Sequence, residues 1–191
     1  MNHSVAATIR KLTLAPLLAA VMLIYLYIVQ PLIFGSVEML IQQLALLSLF
    51  PILAYPVQPL LRTFREKGRE GQRHLAMIFA FIGYLQDCIL NITGHASGEL
   101  CMIGWVYLLS GVLILVLNRI FHLRASGHGA GIGVAMCLPV ALGYPETLLI
   151  SIPLLCLVCW SSLETKRHTL PQLFGGALIP AVLTIVFMMI R

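Results

Sequence analysis

Three short loops hold most of the reactive side chains of this 191-residue chain. The first, from Arg62 to His74, carries Lys67, Arg69 and Arg73 beside the start of an apolar run. The second reads Arg124-Ala125-Ser126-Gly127-His128 and leads into Gly129, Gly131 and Gly133. The third runs from Ser161 through Lys166, Arg167 and His168 to Pro171 and Gln172, with Gly175 and Gly176 behind it. The second and third share one design: a cation, then a histidine, where the chain re-enters an apolar helix. The first amides of such a helix lack internal partners and sit at a positive end-dipole, which stabilises an anion by about 0.3–2 kcal/mol. Ser126 suits the cap of one such helix and Pro171 the first turn of the other. Two imidazoles facing one anion pocket suffice for phosphoryl transfer, one as nucleophile and one as acid.

The elements that position these loops must be membrane helices. Sixty per cent of the residues are apolar and only 10% are charged, a balance that no small water-exposed domain tolerates. The formal charge of +5 does not point to nucleic acid, because Lys and Arg sit in short loops between apolar runs. Bilayer topology or an anionic headgroup accounts for it. The cysteines at 88, 101, 137, 156 and 159 are odd in number and fall mostly inside apolar runs, which indicates buried thiols rather than a disulfide framework. No Cys or His spacing suggests a metal site.

A hydrocarbon core about 30 Å thick takes roughly 20 helical residues. Seven apolar runs approach that length, at about 14–34, 39–61, 75–93, 101–121, 127–143, 146–162 and 171–190. The first run, about 21 residues long, suits a retained span better than a cleaved signal. Gly143 and Pro145 mark a tight turn that keeps the fifth and sixth runs short. With one crossing per run, Arg10, Lys11, Arg62, Arg65, Lys67, Arg69, Arg73, Arg119, Arg124, Lys166 and Arg167 share one face, and only Arg191 takes the other. A miscount before the last run would scatter these cations, so their segregation supports the count. The sequence therefore predicts an all-α, polytopic transmembrane helix bundle of six to seven spans, a single domain over 1–191.

Ser126-Gly127-His128 resembles the second motif of the type 2 phosphatidic acid phosphatase (PAP2) family, usually Pro-Ser-Gly-His. The stretch from Ser161 to Gln172 resembles the third motif: Ser-Arg, five residues, His, three residues, Asp. On that template His168 matches the nucleophilic histidine, Ser162 stands where a phosphate-binding arginine is expected, and Gln172 replaces the Asp. The first motif is matched loosely by Lys67 and Arg73, with His74 in place of a proline. The resemblance covers about residues 62–180. It implies a PAP2-like core and a reaction without metal or cofactor, in which His168 forms a phosphohistidine and His128 serves as acid. The substrate it implies is a lipid phosphate. Lys67, Arg73, Arg124, Ser126, Gly127 and Arg167 are then the candidate phosphate ligands, and Gln172 the residue that orients His168.

The departures shape the expectation. Without an arginine at 162, transition-state charge falls to Arg124, Lys166, Arg167 or helix-end amides. Without an Asp at 172, His168 keeps an orienting carbonyl but loses a carboxylate that would stabilise its cation. A non-catalytic relative that binds anionic lipid or carries a small solute is the alternative these two positions favour. The resemblance implies a bacterial inner membrane, often with the site on the outer face, whereas the basic loops place that face in the cytoplasm.

Other polar residues read as structural. Asp87 lies inside the third run, where an ionisable group facing lipid costs several kcal/mol; a hydrogen bond to Gln86 or Asn91 is the expected resolution. The small-xxx-small pairs Gly127/Gly131 and Gly129/Gly133 read as helix-packing devices. His74, His95 and His122 read as interfacial residues, and Asn91-Ile92-Thr93 fits a glycosylation sequon too short to carry weight.

Overall fold

The computed structural model describes residues 2–190, and every regular element in them is a helix. In chain order these are α1 (Asn2–Leu12), α2 (Ala15–Val29), α3 (Val37–Gln43), α4 (Phe50–Val57), α5 (Arg62–Arg65), α6 (Gly68–Thr93), α7 (Gly98–Arg119), α8 (Gly127–Ala141), α9 (Leu148–Glu164) and α10 (Leu170–Ile190). A π-helical stretch, Leu44–Leu49, joins α3 to α4, so residues Val37–Leu60 form one continuous rod. The π turn lies just ahead of Pro51, which has no amide to give to the preceding turn.

Five helical rods are long and apolar enough to cross a membrane: Val37–Leu60, Gly68–Thr93, Gly98–Arg119, Pro145–Glu164 and Leu170–Ile190. The pair α1 and α2, bent by 50° at its break, would make a sixth. The chain is thus an integral membrane helix bundle. The first predicted span differs in detail from the observed one. The charged stretch before it is itself helical, and the break falls at Thr13, whose hydroxyl donates back to the Ile9 carbonyl at 2.8 Å, and at Leu14, which turns extended ahead of Pro16. The fifth run forms a helix of only 15 residues, about 22 Å long.

Contacts at the two ends of the bundle follow the sidedness read from the charges. At one end the Tyr144 hydroxyl donates to Gln30 at 3.1 Å, that of Tyr25 to Glu146 at 3.0 Å, and that of Ser97 to the Ile33 carbonyl at 2.6 Å. Parts of the basic loops gather at the other end, where Arg10, Arg73, Arg167 and His128 all lie within electrostatic reach of His168. Arg191 lies outside the described residues.

The short α8 is the centre of the bundle, packed on α2, α7, α9 and α10. Its glycines explain how. A Cβ on Gly129 would collide with the Leu173 carbonyl, one on Gly133 would meet the Ala177 carbonyl at 2.6 Å, and one on Gly131 would strike Ala15. Across the seam, a Cβ on Gly176 would strike the Ser126 carbonyl. These glycines pack helices within the chain, as the spacing suggested, although Gly127 has open space around it. Side chains such as Leu149, Ile150, Val182 and Met189 stay exposed, as a lipid-facing belt requires.

Candidate functional site

The α8–α10 seam brings the second and third loops together. The Ser126 amide donates to the Gln172 carbonyl at 3.0 Å, tying the start of one helix to the start of the other. Ser126 is fully buried, and its hydroxyl accepts from the Gly129 amide at 3.2 Å, the cap its sequence position suggested. His128 and His168 emerge from these two helix starts as half-buried side chains, close enough for charge on one to act on the other.

The third loop owes its shape to the way α9 stops. The Arg167 amide donates to the Ser162 carbonyl at 2.9 Å and the Lys166 amide to that of Leu163 at 2.9 Å. Lys166 between them takes a left-handed backbone, φ 49°. This is the paired-bond helix stop that usually employs glycine. It turns the chain so that His168 stands at the entrance of α10.

The proton positions on both rings follow from their partners. Gln172 Oε1 accepts from the Thr169 amide at 3.2 Å and lies 3.3 Å from His168 Nδ1. A backbone amide can only donate, so the atom facing it is the Gln172 oxygen, and His168 must donate its Nδ1–H to that same oxygen. Nε2 of His168 is left with a free lone pair. His128 is held the other way: its Nε2 lies 3.1 Å from the Arg10 carbonyl, which only accepts, so Nε2 carries the proton and Nδ1 is the open nitrogen.

Arg10 is the residue of this cluster that its position in the sequence did not place there. It sits in the last turn of α1, which packs along α9. Its Nη1 donates to the hydroxyl of fully buried Ser162 at 3.3 Å, while its carbonyl holds His128. The signal for it was modest: Arg10 shares a face with the motif loops, and position 162 lacks a cation.

Burial holds the His168 imidazole below the ordinary histidine value. The nearby charges of Arg10, Arg73 and Arg167 push the same way, against the Gln172 hydrogen bond. Of the candidate phosphate ligands, the structure therefore brings Arg73, Arg167, Ser126 and Gly127 to the histidines. Lys67 and Arg124 are exposed loop residues; among the described residues no hydrogen bond or charge interaction joins either to a histidine. Nor does any carboxylate among them lie within 4 Å of Arg10, Arg73 or Arg167; the Arg62–Glu66 pair lies out on the exposed first loop. No group of three or more metal-ligating residues occurs among the described residues.

Asp87 takes Asn91, one of the two expected partners, and Gln43 in place of Gln86. It is fully buried and accepts from Gln43 Nε2 of α3 at 2.7 Å and from Asn91 Nδ2 at 3.0 Å, whereas Gln86 is exposed. Asn91 is itself fully buried within that cluster, which closes the sequon to modification. The chain matches no protein-family model, no curated protein and no solved structure.

Proposed function

We propose that the protein is a membrane phosphatase of the PAP2 type, hydrolysing a phosphate monoester or diphosphate of a lipid. The observation that carries this reading is the paired histidines at one bundle end, one with its Nε2 lone pair free, among arginines that have no carboxylate partner among the described residues. In the reaction His128 first takes a proton on Nδ1 from the incoming phosphate monoanion, in addition to the one that Nε2 donates to the Arg10 carbonyl. His168 Nε2 then attacks phosphorus as the bond to the leaving alcohol oxygen breaks, and the His128 Nδ1 proton passes to that oxygen. Water then attacks the phosphohistidine, gives its proton back to His128 and releases inorganic phosphate. A lipid tail stays in the bilayer while its phosphate reaches the helix starts, so phosphatidic acid, a polyprenyl diphosphate, phosphatidylglycerophosphate and a lipid A phosphate all suit the site. The setting we assign is a bacterial inner membrane.

A second reading has one observation in its favour. Gln172 orients His168 but brings no negative charge, which suits a protein that binds anionic lipid without turnover. Phosphate release from a panel of lipid phosphates by the purified protein decides between the two. The phosphatase reading expects release that His168→Ala lowers by roughly 10³-fold or more. Binding with no release from any lipid phosphate across the pH range would leave the binding protein standing.

A further inference from the structure

We infer that Arg10 is an anion-binding residue of this site, so that α1 completes a pocket whose other parts come from α6, α8, α9 and α10. The inference rests on the site proposed above but concerns how the anion is held. A guanidinium has five N–H donors, and among the described residues that of Arg10 spends one of them, on Ser162. It stands close enough to Arg167 for the two to repel, and its charge acts on both His128 and His168. No carboxylate among the described residues lies within 4 Å to offset this half-buried group. An anion with several acceptor oxygens would relieve this cluster of like charges around two histidines most directly. A tetrahedral phosphate suits the remaining Arg10 donors, because charge-assisted bonds to phosphate are short, strong and often bidentate.

The local structure is built to aim this side chain. The helix break at Thr13 and Leu14 ends α1 beside the site. The His128 ring holds the Arg10 backbone through its carbonyl, and the Ser162 hydroxyl holds the guanidinium. Ser162 is small and fully buried, which leaves the space that the Arg10 head occupies. An arginine grown from position 162 would reach that same space once Arg10 is shortened.

The test uses the full-length protein in detergent and measures affinity for inorganic phosphate by titration calorimetry, with turnover on the lipid phosphate panel in parallel. Arg10→Ala should weaken phosphate binding roughly 10- to 100-fold. Arg10→Lys should fall between it and the wild type, and Arg10→Ala combined with Ser162→Arg should recover most of the loss. Wild-type phosphate affinity in Arg10→Ala, or no phosphate binding by the wild type, overturns the inference. If Arg10→Ala fails to fold, Arg10→Lys decides, since loss of the fork geometry alone must weaken binding. Arg10-dependent binding without release from any lipid phosphate supports the inference and sinks the phosphatase reading. Turnover with Arg10-independent binding does the reverse.

Discussion

The bundle contains two polar clusters, and they differ in how far they satisfy themselves. Around Asp87, buried side chains close on each other: Gln43 Nε2 donates to Asp87 and, at 2.9 Å, to Asn91, while Asn91 donates to Asp87. Around His168, the charged groups that act on the ring share one sign, and among the described residues a ring nitrogen and several guanidinium donors have no hydrogen-bond partner. A polar group buried in a bilayer has to find a partner inside the protein. The first cluster finds it in neighbouring helices for all its polar atoms but Gln43 Oε1, and ties α3 to α6. The second is only half-buried, with Arg73 and Arg167 exposed, and finds only part of it; a phosphate is the ligand proposed for the rest.

The strongest way to break this contrast is to part the seam on which the second cluster stands. Gly176→Val would drive a side chain into the Ser126 backbone, and with backbone on both sides of the seam nothing flexible can give way. Expected are a loss of about 3 kcal/mol or more of stability and loss of both phosphate binding and turnover. Near-normal melting and turnover of Gly176→Val would show that the two helix starts need not touch.

Next in size is the first cluster. Gln43→Leu removes the donors that hold Asp87 and Asn91 together, at about 1–2 kcal/mol of stability. Turnover on a lipid phosphate should stay within about twofold, because this cluster is only structural. A large kinetic effect without loss of stability would instead give the Asp87 cluster a functional part.

The pH profile sharpens the second cluster. In the proposed reaction His168 attacks only as the neutral ring, and burial together with Arg10, Arg73 and Arg167 lowers its pKa. As pH falls through that lowered value the ring gains a proton and attack stops. The acid limb of kcat/KM, which reports the free enzyme, should therefore lie below about 6.5. Arg73→Gln removes one of the charges that lower the pKa, and Gln172→Asp adds a carboxylate that favours the imidazolium. Both should move the limb upward; a limb that stays in place in both variants would separate His168 from the titration.

Much of this contrast was legible in the residues, and the illegible part has physical causes. The apolar runs located the membrane helices to within a few residues except at the first, where α2 stops at Val29 behind a separate α1, at the fifth, whose helix has only 15 residues, and at α6, whose helix extends back to Gly68 through the basic segment. The Ser126 cap and the Gln172 carbonyl on His168 were readable because both are local, three or four residues away in the chain. The Gln43–Asp87 bond spans 44 residues and two helices, and no periodicity encodes it. Arg10 was hidden because hydropathy reads α1 as the charged flank of a span. Only the break at Thr13 shows it to be a separate helix laid against α9.

The smallest predicted effect concerns the backbone under each cluster. Two helices end in the paired-bond stop with a residue other than glycine in the left-handed position, α6 with His95 at φ 50° and α9 with Lys166 at φ 49°. The end of α8 uses Gly143 there instead, at φ 97°. A side chain in that conformation costs roughly 1 kcal/mol, offset in part because glycine also gains freedom in the unfolded chain. His95→Gly and Lys166→Gly should thus each raise stability by a few tenths of a kcal/mol, read as a small rise in melting temperature. They should part company in function. Lys166 directly precedes Arg167 and His168, so its replacement removes one cation from the end that holds the proposed site and should weaken phosphate affinity slightly in low salt. His95 lies at the opposite end of the bundle, and its replacement should leave that affinity unchanged. Equal effects on phosphate affinity from the two variants would mean that the anion senses the net charge of the protein rather than one end of the bundle.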